Sequence, residues 1–367
     1  MTIECFWQVV KRTEPLHISS CFGNAIFRGD NMFKPKRMLF EKVALEYPLG
    51  EKAYDWAKAN KVEVEMFSNT VRYKADTKLS MRGQYVQAKA TLAITVKKSF
   101  KFQTCKPSAH YQLPLVTGCP GLCEYCYLLT NLGKQPYLRV YANQNDIRAQ
   151  VEKYMAEKEG LTIFEGAATS DPLPLEHITG ILSDTIRYFA GQELGRFKFV
   201  TKFTDVEPLL DLNHNGHTFV RFSLNAEEII RQYEKATPTA TERIQAAARI
   251  AEAGYPIGFI IAPIFLFEGW REDYKSLFIK LGKAMENVAE LPIEMITHRF
   301  TSRAKQNIAE IFPDTTLPMN EEERRFKFGQ FGYGKYVYKE EDFKELKGFF
   351  SQLLEQYIPQ AKMSYFV

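Results

Sequence analysis

The chain has 367 residues, 45% hydrophobic and 25% charged, and its 48 Lys and Arg against 44 Asp and Glu leave a formal charge of +4. With a mean hydropathy of -0.29, these values are ordinary for a globular protein and exclude disordered and fibrous architectures; +4 is too slight to demand a polyanionic partner by itself. At about 150 residues per domain the length allows two domains or one large α/β barrel.

Residues 1–31 are a polar, irregular lead-in, and Met32 could open the chain a second time, so 1–31 are expected to be an extension outside the fold. They hold Glu4 early and no apolar signal-peptide core, which predicts a cytoplasmic protein. Residues 32–105 read as a small α/β segment ending in a β-branched strand within 91–102. From 106 to 300 strand and helix signals alternate. Strand 136–142 is followed by helix 146–159, with Ile147, Val151 and Met155 on one face, and strand 161–165 by helix 177–189. Strands 196–202 and 219–225 come next, then helix 241–253, closed by Gly254 and Pro256. Strand 256–267 is the longest apolar run, far short of the ~18 residues of a membrane helix, and Pro263 interrupts it. Helix 270–290 and the short strand 293–296 complete the series. Repeated β-then-α units predict a parallel sheet, open or closed into a barrel, with the active site at the carboxyl ends of its strands. Residues 301–367 differ. A basic, aromatic, Gly-punctuated stretch at 324–336 reads as a hairpin, and 340–357 as an amphipathic helix with Phe343, Leu346, Phe350, Leu353 and Tyr357 inward.

Six cysteines are present, three of them within eight residues as Cys119-x3-Cys123-x2-Cys126. Such a cluster without a secretion signal points to metal before disulfides. Three soft ligands on one short loop suit an iron–sulfur cluster that leaves one iron without a protein ligand. Gly118, Pro120 and Gly121 let the backbone wrap closely around it. Zinc is the alternative; it takes four ligands in structural sites, no second Cys pair exists, and His110 would have to complete the set.

The spacing is the signature of the radical S-adenosylmethionine superfamily. Ala44-Leu-Glu-Tyr-Pro-Leu-Gly50, Lys106-Pro-Ser-Ala109, Cys123-Glu-Tyr-Cys-Tyr-Leu128, Phe199-Val-Thr-Lys202, Arg221-Phe-Ser-Leu-Asn225, Ala253-Gly-Tyr-Pro-Ile-Gly-Phe259, Glu268-Gly-Trp270, His298-Arg-Phe300 and Gly334-Lys-Tyr336 follow in order. Together they resemble the spore photoproduct lyase family of DNA repair enzymes, from about residue 32 to the C-terminus. The resemblance implies a partial TIM-type β/α barrel with a [4Fe–4S] cluster on Cys119, Cys123 and Cys126. It implies S-adenosylmethionine contacts from Ser170, Lys202, Ser223, Asn225 and Ala262. The 5′-deoxyadenosyl radical would take hydrogen from C6 of 5-thyminyl-5,6-dihydrothymine in DNA, and the methylene bridge would break. Tyr125 and Tyr127 occupy the positions of tyrosines that help to regenerate the cofactor. An electron donor such as flavodoxin or ferredoxin, a monomer, and the spore core of a spore-forming bacterium are also implied, with no membrane partner.

Two departures stand out. The family's hydrogen-donor cysteine is Ala168 here, in Phe164-Glu-Gly-Ala-Ala-Thr-Ser-Asp171, and a methyl group has no labile hydrogen. Cys5 and Cys21 lie in the extension, so Cys105, just ahead of the cluster loop, is expected to be the donor; the alternative is a small buried hydrophobe. The family's Trp-Gly-Arg-Tyr-Gly is Phe328-Gly-Gln-Phe-Gly332 here, so Gln330 and Phe331 replace an Arg and a Tyr. Arg324, Arg325, Lys327 and Lys335, with His298, Arg299, Arg303 and Lys305, are expected to neutralise phosphates while the hairpin wedges the lesion out of the duplex. The other readings are a related radical enzyme with a different nucleic-acid substrate and a non-enzymatic metal-containing DNA-binding protein.

Overall fold

The computed structural model describes residues 32–328 and 334–367; Cys5, Cys21, Gln330 and Phe331 therefore lie outside the described residues. Two sheets organise the chain. The first has five strands in the order Glu63–Phe67, Arg37–Glu41, Thr91–Thr95, Leu138–Tyr141 and Val116–Thr117. Its first four are mutually parallel and the last antiparallel. Every residue of Thr91–Thr95 is buried, as the β-branched run predicts for a strand covered on both faces. The strand around 138, which the alternation in sequence assigns to the barrel, instead pairs with Thr91–Thr95 through Leu92↔Leu138 and Ile94↔Val140. Local pattern fixes a strand's faces but not its partner.

The second sheet curls into a half-barrel of eight strands: Ala361–Phe366, Leu291–Thr297, Ile257–Ile264, Thr218–Leu224, Gly195–Thr201, Thr162–Glu165, Ala109–Gln112 and Thr104–Cys105. Seven run parallel, and Thr104–Cys105 folds back antiparallel on Ala109–Gln112. Amphipathic helices over Ile181–Ala190, Ala240–Glu252 and Trp270–Ala284 cover the outside. The Ala240–Glu252 helix starts on a capping box, in which Thr239 and Glu242 satisfy each other's backbone N–H. The helix read over 177–189 is broken at Gly180, whose φ of 70° is left-handed and ends Glu176–Thr179.

The amphipathic helix spans Glu340–Tyr357, as its periodicity predicts, and buries Leu346, Phe350 and Leu353. Phe350 meets Tyr274 and Phe278 edge-on or tilted at 5.0 and 5.5 Å. The closing strand Ala361–Phe366 has no counterpart in the sequence reading, because its alternating, half-polar residues carry little strand signal. The hairpin pairs Arg325–Phe328 with Gly334–Val337 and projects with its first strand fully exposed. Among the described residues no helix is long and apolar enough to cross a membrane.

Candidate active site

A cavity of about 470 Å³ opens at the carboxyl ends of the half-barrel strands and is roofed by Cys119, Cys123 and Cys126. The loop that carries them is tied down on both sides. Gly118 donates its N–H to Thr169 O at 3.0 Å, and Asp171 N returns to Gly118 O at 3.3 Å. Gly118 has φ 83°, and a Cβ there would lie 2.9 Å from Tyr137 O, so only glycine fits. Further on, Leu122–Cys123 forms a short antiparallel ladder with Glu234–Lys235. Burial pushes the Cys119 thiol up to about 12 and Cys123 higher still, with Lys89 and Lys202 respectively the nearest cations working against it. Lys89, itself fully buried, donates to the Cys119 carbonyl at 2.7 Å.

Three soft thiols on one loop facing the cavity fit an iron–sulfur cluster with one iron left without a protein ligand. His110 is engaged elsewhere, its Nδ1 accepting from Ile163 N at 2.9 Å, so it is no fourth zinc ligand. The Tyr85 hydroxyl is fully buried and has no partner among the described residues; burial first, then the neighbouring Cys126, Cys123, Cys119 and Glu124, push it up. A buried donor left unpaired costs about 1–3 kcal/mol; a sulfur-rich group held by those thiols offers it an acceptor.

Of the residues the resemblance assigns to the cofactor, Ser170, Lys202, Ser223 and Ala262 line the cavity. Asn225 does not. It is fully buried behind the wall, donating Nδ2–H to Pro263 O at 2.8 Å and accepting from Tyr274 Oη at 2.9 Å, so its polar atoms are engaged inside the wall, on strand Ile257–Ile264 and the helix behind it. Lys202 Nζ lies 2.9 Å from Glu234 Oε1 and donates to Tyr125 Oη at 3.0 Å. Glu234 also receives the Tyr125 hydroxyl and the Arg243 guanidinium, the latter at 2.7 Å. Burial alone would push the Glu234 carboxyl up, but Arg243 and Lys202 outweigh it and hold the group at about 2. Glu234 and Arg243 escaped the sequence reading, since nothing local distinguishes them from neighbouring surface charges. Asp171 escaped too, although it ends a quoted segment; it accepts from Lys202 N at 2.9 Å and Thr201 Oγ1 at 3.0 Å, and burial raises it to about 6.

Tyr127 is half exposed and donates its hydroxyl to the carbonyl of Ala168, bridging the cavity mouth. Cys105 is half-buried on the short edge strand rather than among the cavity-lining residues. Burial, with Glu165 next, pushes its thiol up to about 11, and Tyr127 lies close enough to feel its charge. The turn after Cys105 is fastened from below. Lys198 Nζ donates to Ser108 O at 2.8 Å, Arg221 donates to Ser108 Oγ at 3.3 Å, and Arg221 pairs with both Glu165 and Glu294.

The basic residues separate into two groups. Arg325, Lys327 and Lys335 line a hollow of about 260 Å³ together with Arg299, which also lines the cavity. Arg324 is a correction: it is buried, donates to His298 O at 3.0 Å and Pro318 O at 3.1 Å, and lies 3.7 Å from the Tyr338 ring, so it is not presented to phosphates. His298 is buried beside it and Lys305 pairs with Glu321 at 3.3 Å. Burial first and Arg324 second hold the His298 ring down to about 3, against 6.5 ordinarily. Between those values the unfolded chain binds the extra proton, so stability falls as pH falls below about 6.5, by at most about 1.4 kcal/mol per pH unit. His298→Gln is expected to flatten that slope, read by denaturant unfolding at about pH 6.5 and 5.

A parallel half-barrel with a three-cysteine loop over the carboxyl ends of its strands is the arrangement of a radical S-adenosylmethionine enzyme. The sequence profile of the spore photoproduct lyase family matches residues 33–367. The spore photoproduct lyase of Clostridium acetobutylicum is 43% identical over 339 residues, spanning 92% of this chain and 100% of that protein. That of Bacillus subtilis is 41% identical over 339 residues, 92% and 99%. A solved spore photoproduct lyase, doubly substituted and bound to AdoMet and dinucleoside spore photoproduct, superposes with a TM-score of 0.86 at 42% identity, covering 91% of this chain and 99% of that one. A second, complexed with dinucleoside spore photoproduct, gives 0.86 at 41% identity over 91% and 99%. The chain belongs to the spore photoproduct lyase family.

Proposed function

We propose that this enzyme cleaves spore photoproduct in DNA back to two thymines, using a [4Fe–4S] cluster and S-adenosylmethionine, with Cys105 as hydrogen donor. The observation that carries the reading is the cavity itself, with three thiols above it and Ser170, Lys202 and Ser223 around it. When bound, the two cofactors supply one-electron cleavage of a sulfonium to give a hydrogen-abstracting carbon radical.

The protein's residues do the rest. Cys119, Cys123 and Cys126 hold the cluster, and Ser170 and Ser223 offer hydroxyls to the cofactor's polar groups. Glu234 fixes Lys202 at the wall and neutralises part of its charge, so the ammonium is positioned without being free to swing out. Cys105 gives its S–H hydrogen to the thymine methyl radical: a C–H bond forms, the S–H bond breaks, and a thiyl remains. A hydrogen-atom donor must be a thiol and not a thiolate, and burial beside Glu165 keeps Cys105 protonated at neutral pH. Tyr127 and Tyr125 are assigned to the return path, Tyr127 being held on Ala168 O next to the departed donor position. The substitutions in the AdoMet-bound relative, cysteine to alanine and serine to cysteine, are of the kind that Ala168 and Cys105 embody here.

Arg299, Arg325, Lys327 and Lys335 serve the DNA backbone at the hairpin. We assign the electron to a flavodoxin or ferredoxin, the working form to a monomer, and the location to the spore core. Anaerobic incubation with S-adenosylmethionine, a reductant and the lesion dinucleoside tests the reading: thymine should form together with cofactor cleavage. Cleavage with intact lesion would move the enzyme to another substrate, and purified protein lacking iron and sulfide would remove the enzymatic reading altogether.

A further inference from the structure

An enzyme that works inside a DNA strand must give that strand two ways out of its active site. One is the hairpin hollow, which shares Thr297 and Arg299 with the cluster cavity. On the other side Ala167 and Ser170 line the cavity, and the residues between them, Ala168 and Thr169, line a second hollow of about 720 Å³ that includes Lys97 and Lys101. It shares Lys97 and Tyr141 with a third, of about 190 Å³, which adds Lys98, Thr95 and Arg139. The hollows adjoin one another through these residues, and the third lies at the carboxyl ends of the parallel strands Thr91–Thr95 and Leu138–Tyr141, where open parallel sheets place their ligands.

The groove is cationic and its cations rest on neutral groups. Lys97 Nζ lies 5.2 Å from the Tyr141 ring centroid, Lys98 Nζ donates to Thr70 Oγ1 at 2.8 Å, and Arg139 donates to Tyr137 Oη. The carboxylate in the lining, Glu41, is turned to backbone, accepting from Val96 N at 3.1 Å and Val71 N at 3.3 Å. In the third hollow, Thr95 Oγ1 and Arg139 Nε are buried without a partner among the described residues, and Thr95 is only 3% exposed. A phosphodiester oxygen accepts from hydroxyl, guanidinium and ammonium alike and brings the charge that four cations lack.

We propose that this groove carries the sugar–phosphate backbone flanking the lesion on the side away from the hairpin, with Lys97, Lys98 and Lys101 along its length and Thr95 and Arg139 in the third hollow, at the end farther from the cavity. The assignment rests on the lyase reading. Each phosphate contact contributes about 0.7–0.9 to the slope of log affinity against log salt. The triple variant Lys97→Gln, Lys98→Gln, Lys101→Gln should therefore bind a lesion-bearing oligonucleotide about tenfold or more weakly at low salt, with a slope smaller by about 2. Its thymine yield from the lesion dinucleoside, which has no flanking strand, should be unchanged. Oligonucleotides extended on one side of the lesion only should lose affinity for one polarity and not the other. Wild-type oligonucleotide binding in the triple variant, or an equal loss on the dinucleoside, would overturn the groove. A wild-type protein inert on the dinucleoside would overturn the lyase reading instead, while oligonucleotide binding still reads out the groove.

Discussion

Cys105→Ala is expected to leave S-adenosylmethionine cleavage intact while thymine formed per cofactor cleaved falls about tenfold or more, the equivalent of about 1.4 kcal/mol on the quenching step. Ala168 stands where the resemblance places the usual donor thiol and has no hydrogen to give, and Cys105 is the cysteine among the described residues outside the cluster loop. Cys105→Ser keeps the size of the side chain but offers a much stronger O–H bond, so it should fail as alanine does; a packing role would predict recovery. Ala168→Cys in the Cys105→Ala background should restore yield, because Ala168 sits beside Ala167, which lines the cavity, and carries the carbonyl that holds Tyr127. Product analysis by chromatography reads all three. Undiminished thymine and no radical adducts from Cys105→Ala would rule the donor out.

Arg221→Met is expected to cost about 3–5 kcal/mol of stability, because it strands two buried carboxylates. Arg221 is 3% exposed and pairs with Glu165 and with Glu294, the latter at 3.1 Å, and Tyr365 donates to Glu294 at 2.7 Å. Burial already pushes the Glu165 carboxyl up, with Arg221 and then Lys198 opposing it. Without Arg221 that carboxyl should rise further, so the loss should be larger near pH 7 than near pH 5, where protonation relieves it. Denaturant unfolding at the two values measures this. The same substitution releases Ser108 Oγ, so the Cys105 turn should loosen and the thymine yield fall as well. Equal stability of variant and wild type at both values would show the triad to be dispensable.

How much of this was legible depended on distance along the chain. The three cluster cysteines could be read because all lie on one loop, and the glycines beside them because tight wrapping leaves no alternative. The β-then-α order was legible from periodicity, and helix Glu340–Tyr357 to the residue. Partnership was not: Leu138–Tyr141 joins the other sheet, and Ala361–Phe366 closes the half-barrel with little strand signal of its own. Charges misled most. Arg324 looks like any member of a basic run, yet it is sealed against Tyr338; Glu234 looks like a surface acid, yet it anchors Lys202, Tyr125 and Arg243. Lys202 and Tyr125 reach Glu234 from far along the chain, and even for nearer pairs such as Glu234 with Arg243 the local pattern does not say which charges are buried together.

The crossing of segments between the two sheets has a consequence for protein engineering. Val116–Thr117 and Leu138–Tyr141 complete the smaller sheet while Ala109–Gln112, a few residues upstream, belongs to the half-barrel, and Lys89 reaches from the smaller body to the Cys119 carbonyl. A chimera joined near residue 105 would separate strands from their neighbours on both sides of the junction. The two bodies are therefore not exchangeable modules, because no single junction along the chain leaves both sheets with all their own strands.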